Sequence, residues 1–236
     1  MNLILLSVVD TIANGRVVLS DRRGEHIVSV LRSNIGDKVR VGMLQGNMGW
    51  GRVLDINGTG VELELELDES PPAPAPVTLI LALPRPKVLK RLLVMLTTLG
   101  VKHLVLVNSW RVDKSYWNSP VLEEEHLHTY LCLGLEQARD TILPTVELKR
   151  LFKPFVEDEL DNLCGVRERL LAHPGGTDGW PHAGAGERIL FIGPEGGLIP
   201  YEVSMLEERG FKPFSMGKRI LHVETAVVAC LARLGI

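Results

Sequence analysis

The chain has few cysteines. Only Cys132, Cys164 and Cys230 occur among 236 residues, far apart and without C-x-x-C spacing. This pattern argues against a disulfide framework and against a zinc site, and it is typical of a reducing cytoplasm. The closest histidines, His126 and His128, are two positions apart, which places their rings on different faces of a helix. We therefore expect no metal and a cytoplasmic location.

Long apolar runs are also missing. No uninterrupted stretch approaches the roughly 20 residues that a membrane-crossing helix needs. The apolar start, 1–9, lacks a basic n-region and a small-residue cleavage site, and Asp10 interrupts it, so it predicts a first strand. Hydrophobic residues make up 45% of the chain and charged residues 23%, enough to bury a substantial core. We expect a soluble protein with no membrane partner.

Neither sign of charge is in large excess. The net charge of −3 does not by itself indicate a nucleic-acid partner. Between Pro71 and Pro120, however, seven basic residues stand against one acid, Asp113, and a local basic field of this kind can bind phosphates. A solvated surface is the alternative that charge alone leaves open. The basic residues are Arg85, Lys87, Lys90, Arg91, Lys102, Arg111 and Lys114.

The first 70 residues predict a small β domain. Residues 61–68 alternate strictly between apolar and acidic side chains, the period of a strand with one buried face. Before it, short apolar runs separated by glycines are typical of a small barrel or sandwich, with one helical turn around 24–31. Four prolines within 71–76 then exclude a helix or a sheet interior. The domain boundary is therefore placed at 71–76.

After this linker, segments with strand and helix patterns alternate, which predicts a parallel sheet covered on both faces. The second domain, 77–236, is therefore expected to be α/β. A polar, glycine-rich stretch at 175–187 predicts a surface loop. The predicted strands are 77–83, 103–107, one near Val146, 169–172, 188–192 and 212–216, and the predicted helices are 87–99, 122–139, 155–163, 200–209 and 223–234.

Three turns follow predicted strands of this domain: 171–174, Gly193 to Gly197, and 216–226. Ligands of open α/β sheets lie beyond the carboxyl ends of the strands, so these turns could surround one pocket for an adenine edge, a ribose and a carboxylate. A tight structural turn is the alternative for any one of them. Their spacing matches neither G-x-G-x-x-G nor G-x-x-x-x-G-K-[ST], which disfavours a classical NAD or ATP site.

The two glycine motifs together resemble a family signature. Gly193-Pro194-Glu195-Gly196-Gly197, followed by Gly217-x-Arg219-Ile220-Leu221-x-x-Glu224-Thr225-Ala226, is similar to the paired motif of the RsmE-type 16S ribosomal RNA (uridine-N3) methyltransferases. Further matches at 23–27, 30–32, 99–101, 136–139 and 171–174 extend the resemblance over nearly the whole chain. This family implies a PUA-like β-barrel that helps to hold RNA, over 1–70, and a SPOUT domain with a trefoil knot, over 77–236.

The resemblance also implies a cofactor and partners. The cofactor would be S-adenosyl-L-methionine, the partner 16S ribosomal RNA or the small ribosomal subunit, and the assembly a homodimer. Carried over by position, the cofactor-binding residues are Leu171, His173, Pro174, Ile192, Gly193, Glu195, Gly196, Gly197, Met216, Gly217, Ile220, Leu221 and Thr225.

Methylation at N3 of a uridine requires that the N3 proton is removed, that the uridine and the methyl donor are positioned, and that negative charge on the base is stabilised. It requires no metal. Glu224 is a candidate for orienting the uridine or accepting its proton, with a helix cap as its structural alternative. Arg219 is a candidate for stabilising charge on the flipped base or its phosphate, with a surface ion pair as its structural alternative. His222 and Val223 stand where the family usually has Arg and Thr, and Thr98 stands where a Glu often precedes Leu-Gly. Only a protonated His222 could replace that lost arginine as a cation.

Basic side chains could hold the RNA by its phosphates, without reading its sequence. Trp110, Tyr116 and Trp117, next to Arg111 and Lys114, could stack on a base, with buried packing or a dimer contact as the alternative. Two other functions remain open: a related SPOUT RNA methyltransferase with a different target, and a catalytically impaired RNA- or ribosome-binding homologue. The candidate RNA-binding residues are Arg16, Arg22, Arg23, Arg32, Lys87, Lys90 and Arg91.

Overall fold

The computed structural model describes residues 1–176, 179, 181 and 186–236. These form two compact units, the first made of 1–73 and 129–143 and the second of 74–128 and 144–236. The border after Ala73 lies within the proline-rich segment. Much of the predicted surface loop 175–187 lies outside the described residues. The functional division at 71–76 stays a prediction.

The first unit is built on a curled five-stranded sheet in the order β1-β3-β4-β5-β2. Strand β1 runs parallel to β3 and the other neighbours are antiparallel. Register shifts where β4 pairs with β5 interrupt the ladder, and such bulges increase the twist of a sheet. The strands are β1 (Ile4–Leu6), β2 (Arg16–Leu19), β3 (Lys38–Met43), β4 (Met48–Asn57) and β5 (Gly60–Glu69).

Strand β5 confirms the alternation in the sequence. Val61 and Leu63 are buried in the core of this unit, whereas Glu64 and Glu66 are exposed. One helix, α1 (Arg22–Ser29), closes the core with Ile27 and confirms the predicted helical turn. The small β domain therefore takes its inner face from period-two patterning and one short helix.

Two arginines at the start of α1 are held by carboxylates of the same unit. Arg22 donates to both oxygens of Glu136, at 2.6 and 3.1 Å, and the Glu136 side chain is only 3% exposed. Arg23 donates to both oxygens of Asp10, at 2.6 and 2.9 Å, and these bonds raise the pKa of its guanidinium. Both cations therefore have structural partners.

The second unit contains a six-stranded sheet in the order β11-β9-β10-β6-β7-β8, in which every neighbouring pair is parallel. Every residue of β6 and β10 is buried, as expected for the centre of a parallel sheet covered on both faces. The predicted α/β class is confirmed. The strands are β6 (Val77–Ala82), β7 (His103–Val107), β8 (Thr145–Lys149), β9 (Glu168–Ala172), β10 (Arg188–Ile192) and β11 (Lys212–Phe214).

The helices follow the predicted order. Helix α2 begins with Pro86 in its first turn, and Gly100, at φ +79°, follows its end as predicted. The first five residues of the predicted helix 155–163 form a π-helical turn, Phe155–Glu159, and α5 follows it. The apolar spacing did not indicate this turn. The helices are α2 (Pro86–Thr98), α3 (Glu124–Ala138), α4 (Phe152–Pro154), α5 (Leu160–Cys164), α6 (Pro200–Glu208) and α7 (Val223–Arg233), with 3₁₀ turns at Lys114–Asn118 and Pro120–Leu122.

Within the described ranges, no helix is both long enough and apolar enough to cross a membrane.

We predict that Arg22→Ala lowers the free energy of unfolding by about 1–3 kcal/mol, because it leaves the buried Glu136 carboxylate without its guanidinium. Arg16→Ala is the matched control, since Arg16 is 53% exposed and lies 3.7 Å from Glu62. It should change stability by no more than about 0.5 kcal/mol. Urea unfolding followed by circular dichroism measures both variants.

Adding Glu136→Gln to Arg22→Ala should restore part of the loss, because an amide is less costly to bury than a carboxylate. Equal stability of the Arg22→Ala and Arg16→Ala variants would contradict the structural role of this pair.

Candidate functional site

A pocket of about 290 Å³ lies at the carboxyl edge of the parallel sheet. This volume is close to the lower end of the range for small-molecule sites, about 300–1,000 Å³. Its wall is formed by the segments after β7, β9, β10 and β11 and by the first turn of α7. The lining residues are Arg111, Ala172, His173, Pro174, Ile192, Gly193, Pro194, Glu195, Gly196, Gly197, Leu198, Met216, Gly217, Arg219, Ile220, Leu221, Val223 and Ala226.

All of the predicted cofactor-binding residues except Leu171 and Thr225 line this pocket. Leu171 is fully buried in β9, and Ala172 lines the pocket instead, because successive side chains of a strand point to opposite faces. Thr225 is exposed on α7, whereas Val223 and Ala226, three positions apart, share the face that lines the pocket.

The loop after β10 packs directly against Arg111. A Cβ at Gly196 would lie 3.1 Å from the Cβ of Arg111, closer than side chains normally pack. The guanidinium of Arg111 donates a 2.6 Å hydrogen bond to the Gly196 carbonyl. Glycine at 196 therefore lets the Arg111 side chain, from the loop after β7, lie against the main chain of the loop after β10.

A buried carboxylate fixes the same two loops. Glu202, in the first turn of α6, is 3% exposed. Its oxygens accept hydrogen bonds from the main-chain N–H groups of Trp110, at 2.7 Å, and Ile199, at 3.0 Å. Glu202 thus joins the segment after β7 to the start of α6.

Sequence reasoning missed Arg111 and Glu202 as site residues. Glu202 stands three residues after Ile199, at a helix start that contains Pro200. This is the spacing of a helix-capping glutamate, and it could have indicated a bond to the main chain. Nothing local in the sequence pairs Arg111 with Gly196, because 85 positions separate them.

Glu195, predicted to bind the cofactor, also has a main-chain partner. Its Oε1 accepts a 3.0 Å hydrogen bond from the N–H of Arg85, the residue before α2. The carboxylate therefore ties the loop after β10 to the start of α2, and Glu195 still lines the pocket.

His173 forms the third wall. The main-chain N–H of His173 donates to the Phe214 carbonyl at 3.0 Å, which joins His173 to β11. The ring Nδ1 accepts from the main-chain N–H of Gly175 at 3.1 Å. Burial lowers the pKa of His173, with a smaller opposing effect from Glu207. The ring is therefore neutral at pH 7, with its proton assigned to Nε2 by the bond at Nδ1.

The loop after β11 turns sharply at Gly217, where φ is +105°, a conformation that disfavours any other residue. Beside it, the sulfur of Met216 lies 3.2 Å from the sulfur of Cys230. Burial raises the pKa of the Cys230 thiol to about 12. Cys230 is therefore a packing residue rather than a nucleophile.

The predicted catalytic residues are not all in the pocket. Arg219 lines it and is exposed, whereas His222 and Glu224 are not among its lining residues. Glu224 accepts a short hydrogen bond from Arg91 of α2, and this bond lowers the pKa of Glu224. His222 is exposed and directly precedes α7.

The candidate RNA-binding residues also differ in their surroundings. Arg22 and Arg23 are held by the carboxylates described above, whereas Arg16 and Arg32 are exposed. Lys87, Lys90 and Arg91 are exposed on α2, and Arg91 is paired with Glu224. In the described part of the chain, no group of three or more His, Cys, Asp or Glu side chains could hold a metal ion.

Comparison with known proteins identifies relatives of this chain. The family model for the RNA methyltransferase domain matches residues 71–235. Ribosomal RNA small subunit methyltransferase E of Treponema pallidum (strain Nichols) is 30% identical over 98% of this chain and 90% of its own. Ribosomal RNA small subunit methyltransferase E 1 of Borreliella burgdorferi is 24% identical over 90% of this chain and 89% of its own.

A solved structure supports the fold. The ribosomal RNA small subunit methyltransferase E of Neisseria gonorrhoeae, bound to S-adenosyl methionine, superposes with a TM-score of 0.74 at 21% identity, covering 98% of this chain and 96% of that chain. This likeness confirms the predicted fold class, an α/β domain with a parallel sheet preceded by a small β domain.

We predict that Glu202→Ala destabilises the second unit by about 2 kcal/mol, because the Trp110 and Ile199 N–H groups lose a buried acceptor. Hydrogen exchange at these two amides should accelerate. Glu208→Ala, on the exposed face of the same helix, is the matched control and should leave both stability and exchange unchanged. Unchanged exchange in Glu202→Ala would contradict the anchoring role.

Proposed function

Because the chain belongs to the RNA methyltransferase family represented by the ribosomal RNA small subunit methyltransferases E, we propose that it methylates small-subunit ribosomal RNA with S-adenosyl-L-methionine. The methyl acceptor is N3 of a specific uridine in 16S ribosomal RNA, and the product is 3-methyluridine. The observation that carries the proposal is one pocket built from the segments that follow four strands of the parallel sheet, with both glycine motifs of the signature in its wall.

The pocket fits the cofactor in size and chemistry. Ile192, Leu198, Leu221 and Val223 provide an apolar lining of the kind that a flat adenine needs, and the glycine turns bring main-chain polar groups to the same space. His173 adds a neutral imidazole whose Nε2–H can donate. When bound there, S-adenosyl-L-methionine would supply an electrophilic methyl group.

Uridine N3 becomes nucleophilic only when its proton leaves, so the protein has to favour the anionic base. We assign this role to Arg219, the cation of the glycine motif that lines the pocket and is exposed enough to meet an incoming base. A guanidinium there would stabilise negative charge as the N3 proton is lost to solvent or to a nearby base.

Glu224 has a different role in this proposal. The hydrogen bond from Arg91 lowers its pKa, and a carboxylate of low pKa is a weak proton acceptor near neutral pH. Glu224 therefore positions Arg91 and the start of α7 rather than taking the N3 proton. His222, just before α7, would assist as a cation only when it is protonated.

We also propose that the first unit, the PUA-like domain, helps to hold the RNA, with Arg16 and Arg32 as phosphate contacts. Lys87, on α2 of the second unit, is proposed as a separate phosphate contact. The carboxylates that hold Arg22 and Arg23 make those two less available. The protein is proposed to act in the cytoplasm as a homodimer. A mass of one chain by sedimentation velocity at micromolar concentration would contradict the dimer.

The proposal predicts a specific change in ribosomal RNA. In a strain that lacks this gene, mass spectrometry of nuclease-digested 16S ribosomal RNA should show loss of 3-methyluridine at one position, and the purified protein with S-adenosyl-L-methionine should restore it. Persistence of 3-methyluridine would contradict the uridine-N3 assignment. Restoration of a different methylated nucleoside would indicate a related methyltransferase with another target, and no cofactor binding by calorimetry would indicate a binding protein.

We further predict that Arg219→Ala lowers kcat roughly 100-fold, with less than a threefold change in the calorimetric Kd for S-adenosyl-L-methionine, because the guanidinium stabilises charge that develops during transfer. Lys218→Ala, the exposed neighbouring cation that does not line the pocket, is the control. Equal losses of turnover and cofactor affinity in Arg219→Ala would point to a structural role instead.

A further inference from the structure

The aromatic residues that follow β7 have different environments. Trp117 is 7% exposed, its indole N–H donates to the Asn108 side chain at 2.9 Å, and the Arg150 guanidinium lies 5.1 Å from its ring centroid. Trp110, in contrast, is 79% exposed. Packing therefore explains Trp117 and leaves the large apolar surface of Trp110 unexplained.

The backbone that carries Trp110 is fixed. Its N–H is bonded to the buried carboxylate of Glu202, and the next residue, Arg111, is bonded to the Gly196 carbonyl and lines the pocket. Trp110 is therefore held at the pocket wall by its own main-chain N–H and by the side chain of the next residue, while its ring faces solvent.

The exposed residues near Trp110 suit an RNA strand. Arg111 and Lys114, both exposed, follow it in the chain, and the exposed Arg219 lines the same pocket as Arg111, so the cations of these segments can meet phosphates. A protein interface would instead need a contiguous apolar area, whereas Arg111 and Asp113, the exposed residues that follow Trp110 in the chain, are charged.

We propose that Trp110 is the stacking platform for a base of the RNA strand that enters the pocket. This rests on the proposed function, and it specifies a contact with the substrate that neither glycine motif provides. An indole offers a flat face to any base, so the contact adds affinity and holds the strand in place without reading its sequence. Trp110 is a substrate-positioning residue that takes no part in the transfer itself.

The test compares Trp110→Ala with Trp110→Phe, which keeps an aromatic face. The RNA is 16S ribosomal RNA from the strain that lacks this gene, and binding is measured with S-adenosylhomocysteine present so that no transfer is needed. Trp110→Ala should weaken RNA binding roughly 5- to 100-fold, Trp110→Phe should recover much of it, and KM for RNA should rise while kcat changes little.

Leu151→Ala is the control, because Leu151 is 66% exposed in the same unit and does not line the pocket. It should bind RNA as the wild type does. The calorimetric Kd for S-adenosyl-L-methionine should be unchanged in all variants, which excludes damage to the pocket wall.

Three results would overturn the assignment. Unchanged RNA binding in Trp110→Ala would show that the ring does not contact the RNA. A smaller sedimenting mass of Trp110→Ala than of the wild type would show that the ring contacts a second copy of the chain. Weaker cofactor binding would show that it supports the pocket wall. Failure of the proposed function is separate, because it would appear as absence of 3-methyluridine from wild-type reactions, whereas the stacking contact is measured by binding alone.

Discussion

The site depends on the parallel register of the sheet in the second unit. Ile192 of β10 and Phe214 of β11 both pair with Ala172 of β9, so three strands end at the same level. The loops that follow them therefore begin at the same edge of the sheet and line one pocket. Segments far apart in sequence thus form one pocket because their strands share a direction and a register.

Register alone does not give the loops a shape. Glu202 and Arg111 do so by bonding main-chain groups of neighbouring segments, and His173 does the same between β9 and β11. Glu202 accepts hydrogen bonds from two N–H groups in a buried site, where the loss of such a bond is strongly destabilising. The pocket wall is consequently held by the buried Glu202 carboxylate, by the Arg111 guanidinium and by the main-chain N–H of His173.

Local patterns were sufficient to predict most of the fold. The alternation in β5, the helical spacing of α2 before Gly100 and the apolar run of β10 each specify an element through short-range physics. The π-helical turn at Phe155–Glu159 was not predictable in this way, since it leaves no distinct apolar period. For the site, the paired glycine motifs pointed to the pocket lining, apart from Leu171 and Thr225.

Long-range partners could not be predicted from the sequence. The pairing of Arg22 with Glu136 spans 114 positions and that of Arg91 with Glu224 spans 133. These pairs change how the basic residues are understood, because cations that look available in the sequence are engaged by carboxylates in the fold. A count of arginines therefore overstates the surface that is free for phosphates.

The contact between Arg111 and the Gly196 carbonyl has a consequence for divergence. A wall specified by main-chain groups keeps its shape as long as the glycine positions and the few inward anchors are kept, whatever side chains replace the outer ones. Substitutions at exposed residues around the pocket should therefore disturb its shape less than substitutions at these anchors. Trp110, the proposed stacking residue, can be replaced without loss of the main-chain bond to Glu202, so the RNA contact can change while the pocket keeps its shape.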